Sequence, residues 1–177
     1  MQQAERIMDN ATAAAAAAPG GSAAGESAAA GAQYLTFICA EEEYGIDILR
    51  VQEIKGWSGS TRVPHAHAYV LGVMNLRGVI VPVIDLRVRF GLPSRPFDAS
   101  TVVIVVRVNG TFGGKTVGIV VDAVSEVYTF ALDAIKPPPS MGGRVDNVCV
   151  SGLASAGDRM VMLLDIDKLT ADLLAGD

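Results

Sequence analysis

The chain has 177 residues, two cysteines and a formal net charge of -5. That acidic balance argues against a nucleic-acid surface, which needs a basic patch, and against binding to an anionic membrane surface. The length suffices for one domain or two small ones without a disulfide, and no apolar run is long enough to span a bilayer.

Residues 1–32 differ from everything after them. The run Ala13–Ala18 leads to Pro19-Gly20-Gly21-Ser22 and more alanine. An isolated helix over residues 3–18 is marginal in water, and Pro19 stops it. The segment is therefore predicted to be a disordered Ala/Gly-rich extension, with one domain over 33–177. Glu5 and Asp9 stand where a signal peptide would be basic, so a cytoplasmic chain is expected. Cys39 and Cys149 lie in apolar alternating runs and read as buried thiols; a disulfide between them stays open.

From Gln33 the pattern is that of strands. Leu35, Phe37 and Cys39 alternate with Tyr34, Thr36 and Ile38, and after Glu41-Glu42-Glu43 the residues Tyr44, Ile46 and Ile48 share a face. This predicts a hairpin. Val51–Trp57 reads as one helical turn and then a strand. A short helix near His67–Leu71 should lead into a strand at Gly72–Leu76. The central stretch is Asn75–Arg87. Val79, Val81 and Val83 would face one way and Ile80, Pro82 and Ile84 the other, which predicts a strand covered on both sides. Gly78 suits a tight turn before it. Asp85 can cap a short helix in which Leu86 and Phe90 share a face, with Gly91 just past its end. Arg77 is a cation in a stretch otherwise fit for a core, so it needs a carboxylate, carbonyls or a partner protein.

Thr101–Val108 should be a buried strand. Asn109-Gly110 is a hairpin signal, and Gly113-Gly114 competes with it. Thr116–Val121 returns as a strand, and Asp122–Phe130 continues it. Pro137-Pro138-Pro139 breaks the pattern. Asn147–Leu153 and Met160–Leu164 form a last hairpin, and a closing helix should carry Ile166, Leu169, Thr170, Leu173 and Leu174 on helical spacing. Many short strands with glycine-rich turns predict an all-β architecture of barrels or a sandwich. No internal repeat is evident.

The search for catalysis is negative. His65 and His67 make half a metal site with nothing to complete it, and no phosphate loop, dinucleotide fingerprint or nucleophile elbow is present. Asp85 and Asp122 read as caps and turn acceptors, and Trp57 as a core residue. No catalytic residue, metal or cofactor is expected. A module that works by binding is favoured.

Six segments then carry a resemblance: Tyr44-Gly45-Ile46-Asp47-Ile48, Val51-Gln52-Glu53-Ile54, Gly72-Val73-Met74-Asn75-Leu76-Arg77-Gly78, Pro82-Val83-Ile84-Asp85-Leu86-Arg87, Val117-Gly118-Ile119-Val120-Val121-Asp122 and Gly157-Asp158-Arg159-Met160. In order and spacing, residues 33–175 resemble the CheW chemotaxis coupling proteins. The resemblance implies two small five-stranded Src homology 3-like β-barrels packed around a shared apolar core, with short helices and a C-terminal helix. It implies a non-enzymatic adaptor that joins methyl-accepting chemoreceptors to the regulatory domain of the histidine kinase CheA, monomeric when free and recruited to receptor arrays without membrane insertion.

The resemblance further implies that Val51, Glu53, Arg77, Val124 and Val127 bind the receptor. Three valines would offer an apolar groove to a helical receptor tip, and one acid and one base would fix its orientation. The valines are expected close together and partly exposed. Arg77 and Glu53 are expected to form a hydrogen-bonded pair at the junction between the barrels. The kinase contact is implied on the first barrel. A CheW-like scaffold of a non-flagellar array, controlling pili or a second-messenger enzyme, is the alternative, and a small all-β enzyme is the rival from another class.

Overall fold

The computed structural model describes residues 31–110, 113–139 and 149–175. The expected extension lies outside the described residues, apart from its last two positions, which are already paired in the first strand. Strands β1 (Gly31–Cys39) and β2 (Glu42–Asp47) form the predicted hairpin. A 3-10 turn at Ile48–Arg50 precedes β3 (Val51–Gly56), so the helical turn expected inside that segment comes before it. Then follow β4 (Val70–Leu76), β5 (Val79–Asp85), helix α1 (Leu86–Arg89), β6 (Val102–Gly110), β7 (Gly113–Val121), β8 (Ala123–Ala131), β9 (Val150–Ala156), β10 (Arg159–Leu164) and helices α2 (Ile166–Leu169) and α3 (Ala171–Leu174).

The strands form two five-stranded sheets in the orders β8-β1-β2-β10-β9 and β3-β6-β7-β5-β4. These are the two Src homology 3-like barrels. Leu35, Phe37, Tyr44 and Ile46 from the first barrel and Ile84, Ile104, Val106 and Ile119 from the second belong to one buried cluster. The inward residues of β1 behave as their alternation predicts. Cys39 and Cys149 are buried free thiols. Burial, with Asp122 nearby, pushes the Cys39 thiol up to about 12, which keeps it protonated and unreactive at neutral pH.

The barrels repeat one another, which the sequence did not disclose. Read from β8 through β10 and then β1 and β2, the first barrel has the same strand order as β3 to β7. In both, the third and fifth strands pair parallel, β10 with β2 and β5 with β7. In both, a glycine on the fifth strand sits tight against the third. A Cβ on Gly45 would lie 3.0 Å from Leu163 Cδ2, and one on Gly118 3.3 Å from Val83 Cγ2. Each second strand is closed by a two-bond bridge, Thr61 with Val73 and Lys136 with Leu153. Each third strand leads into a helix through a capping aspartate: Asp85 accepts from Arg87 N, and Asp165 from Asp167 N and Lys168 N.

The chain passes between barrels at two crossovers, and an Arg–Asp pair clamps each. Asp122 bends the chain from β7 into β8, so the predicted continuous run is two strands in different barrels. Its carboxylate accepts from Arg87 Nε at 2.9 Å, from Arg87 Nη2 at 2.6 Å and from the Ala40 amide at 2.9 Å. At the other crossover Arg50 Nη2 meets Asp167 Oδ2 at 2.8 Å, and the Asn109 amide donates to Asp167 Oδ1 at 2.8 Å. Arg87 and Asp167 hold the same place on α1 and α2, so the second clamp reverses the polarity of the first.

Other expectations are corrected. His67–Leu71 is not a helix: a turn at Ala68-Tyr69 leads directly into β4, which begins at Val70. The β6–β7 hairpin sets Asn109 opposite Gly114 and Gly110 opposite Gly113, so both Asn109-Gly110 and Gly113-Gly114 belong to the paired strands. The closing helix is two short helices. Thr170, fully buried, turns its hydroxyl back to the Ile166 carbonyl at 2.7 Å and separates them. Trp57, read as a core residue, does pack on the buried cluster of Val83, Val103, Val105 and Val120, but it is only half-buried and stands edge-on to the exposed Phe97.

Candidate functional site

The β4–β5 turn is built on Arg77 and Gly78, with φ of 53° and 87°. Positive φ at both central residues is the type I′ pattern that matches strand twist. Asn75 Oδ1 accepts from the Gly78 amide at 2.7 Å and locks the turn. Arg77 is therefore not held in a core-like stretch: its side chain is 81% exposed at the tip of a hairpin. The β5 strand leaving the turn is not covered on both sides along its whole length either. Val79 and Ile80 are 57% and 62% exposed, and burial begins at Val81. The alternation marked a strand correctly, but its first residues stand beyond the neighbouring strand β7, which pairs only from Val83 onward.

Glu53 lies on β3 with a side chain 15% exposed, and its Oε2 sits 3.4 Å from Arg77 Nη2. Both residues belong to the second barrel. The pair thus ties β3 to the β4–β5 turn rather than one barrel to the other. A mostly exposed arginine over a nearly covered glutamate leaves the guanidinium donors open to a partner.

Val51 opens β3 opposite Val106, and Val124 and Val127 lie on β8 opposite Phe37 and Leu35. All three valines are half-buried, and all three pack on the shared core cluster. They come from the first strand of each barrel in the repeated order. The geometry thus offers apolar side chains on two strands, with a charged pair on one of them.

The other polar groups are structural. A cavity of about 220 Å³ at one end of the first barrel is lined in part by Asp47, Arg50, Asp165 and Asp167. Those carboxylates are occupied: Asp47 caps the 3-10 turn, Asp165 caps α2, and Asp167 holds Arg50 and Asn109. Among the described residues, no group of three or more His, Cys, Asp or Glu is placed to hold a metal. The His67 ring stacks on Tyr69 at 5.2 Å. No helix among the described residues is long and apolar enough to cross a membrane.

Sequence reasoning missed the Arg87–Asp122 clamp. Asp122 does accept a backbone amide, as expected of a turn aspartate, but its main partner is a guanidinium far away in sequence. It also missed the exposure of Val79 and Ile80; their place directly after the Arg77-Gly78 turn was the available signal.

Comparison with known proteins agrees with this architecture. A family model described as CheW-like domain matches residues 33–173. The chain is similar to the chemotaxis protein CheW of Klebsiella aerogenes, with 46% identity over 78% of this chain and 81% of that protein. It is also similar to the chemotaxis protein CheW of Helicobacter pylori, with 36% identity over 77% of this chain and 80% of that one. A solved structure, the scaffolding protein TtCheW from Thermoanaerobacter tengcongensis, superposes with a TM-score of 0.72 and 34% identity, covering 79% of this chain and 92% of that one. With its two permuted barrels, shared core and matched length, this chain belongs to the CheW family of chemotaxis scaffold proteins.

Proposed function

We propose that the protein couples methyl-accepting chemoreceptors to the histidine kinase CheA in a cytoplasmic signalling array, without catalysing a reaction. The observation that carries the reading is that Val51 on the first strand of one barrel, and Val124 with Val127 on the first strand of the other, are half-buried and pack on the same core cluster, with Glu53 of the Glu53–Arg77 pair on the strand of Val51. Half-exposed apolar side chains gain by being covered, and a helical receptor tip covers a groove with residues at helical spacing. Arg77 and Glu53 set the tip's orientation. The first barrel takes the kinase, and the free protein is a monomer.

The test is titration of the purified chain with a receptor tip and, separately, with the kinase regulatory domain. Arg77→Ala should weaken tip binding about tenfold or more, as loss of a positioned interface charge does. It should stay folded, because the Arg77 side chain lies exposed at a turn tip and its ion pair contributes little, about 0.2–1 kcal/mol. Arg77→Lys should restore part of the affinity, since an ammonium lacks the planar fork. Unchanged tip binding by Arg77→Ala would remove Arg77 from the receptor face.

A further inference from the structure

The strand equivalence places β3 on β8, and with it Val51-Gln52-Glu53-Ile54 on Val124-Ser125-Glu126-Val127. Both segments break register at the same point. On β3 the slip falls between Val51 and Glu53; on the β1–β8 ladder it falls between the Phe37–Val124 and Leu35–Val127 pairs. Val51, Glu53, Val124 and Val127 are therefore four members of one repeated segment. Glu126 is the acid at the position that Glu53 occupies in the other barrel.

The surroundings of the two acids differ. Glu53 is nearly covered and meets Arg77. The residue equivalent to Arg77 in the β9–β10 turn is Gly157, which carries no charge. Glu126 is exposed. The nearest cation of the β9–β10 turn, Arg159, is placed 3.8 Å from another acid, Glu43.

The backbone of Glu126 is held in place. Thr36, fully buried on β1, donates from Oγ1 to the Glu126 carbonyl at 2.9 Å and accepts from the Glu126 amide at 3.3 Å. A bulge satisfied from both sides by one buried hydroxyl fixes the direction in which its side chain leaves the strand. The result is an exposed acid on a held backbone, in a segment flanked by the half-buried Val124 and Val127. Rim charges of this kind select partners and speed encounter.

We propose that Glu126 is a second acidic determinant of the receptor face, taking a lysine or arginine of the helical tip; this rests on the receptor reading above. The occupant is a helix that presents apolar side chains to Val124 and Val127 and a base beside them. The test titrates the full chain, as wild type, Glu126→Gln and Glu126→Lys, against a chemoreceptor cytoplasmic tip at low and high salt. Charge reversal should weaken binding about tenfold or more and the amide should weaken it less, with both losses shrinking as salt screens the pair. The melting temperature should not move, because the side chain is exposed. Arg77→Ala in the same assay reports on the underlying reading. Weak binding by Arg77→Ala together with full binding by Glu126→Lys would overturn the role of Glu126 alone. Full binding by both would overturn the receptor reading itself. A loss by Glu126→Lys confined to the kinase domain would also overturn the proposal.

Discussion

At the scale of single residues, two neighbouring aspartates respond to pH in opposite senses. Burial alone would raise the Asp122 carboxyl, but hydrogen bonds from Arg87 and the Ala40 amide outweigh it and hold the group below its ordinary range. Its native pKa is thus lower than the unfolded value of about 3.9. The stability it contributes is complete above that value and is lost as pH falls through the native one. For Asp85, burial wins over the amides of Val88 and Arg87, and the carboxyl is raised. Its contribution is greatest below the unfolded value and declines as pH rises through the native one. Asparagine keeps an N-cap acceptor without the buried charge. Asp85→Asn is therefore expected to raise stability at pH 7 relative to its effect near pH 3, and Asp122→Asn to lower it, leaving Arg87 without its carboxylate. Urea melts of both variants at the two pH values check this; a change of effect between pH 3 and pH 7 in the same sense for both would contradict it.

At the scale of elements, the sequence told most where a pattern is local. The β1 alternation, the Asp85 cap with Phe90 and Gly91, and the β9–β10 hairpin were all legible, because each is written in adjacent residues. The repeat was not, because one copy is split: β1 and β2 come at the start and β8 to β10 at the end, and few identities survive beyond the glycine, the Val-x-Glu segment and the capping aspartate. Nor could the Glu53–Arg77 pair be placed within one barrel before the strand order was known. The repeated glycines give a test at this scale. A Cβ at Gly118 would lie 2.9 Å from Val103 Cγ1, on a stiff, fully buried valine. Gly118→Ala should cost about 1–3 kcal/mol, as overpacked cores do. Gly45→Ala should cost less, because its closest neighbour is the end of the Leu163 side chain, which can turn aside. Chemical denaturation of the two variants measures the difference, and the reverse order would refute the packing account.

At the scale of the whole molecule, the two barrels share one core and are clamped at both crossovers. Neither can lose its inward face without exposing the other. Trp57, the only tryptophan, sits in the second barrel and reports on that barrel alone, whereas far-ultraviolet circular dichroism reports on both. The two signals should follow one transition in denaturant, as a two-state domain requires. A tryptophan transition separated from the dichroism would show that the barrels unfold independently.

The split copy also sets an order of events during synthesis. When Val121 has left the ribosome, every strand of the second barrel is available, and that barrel can close. The β1–β2 hairpin was made earlier, yet its partners β8 and β10 have not been translated. It must wait with both ladder edges unpaired and Leu35, Phe37, Tyr44 and Ile46 uncovered. An unpaired apolar hairpin is a template for wrong pairing with other chains. The nascent protein is therefore most open to aggregation at its beginning, the part of the domain made first and finished last.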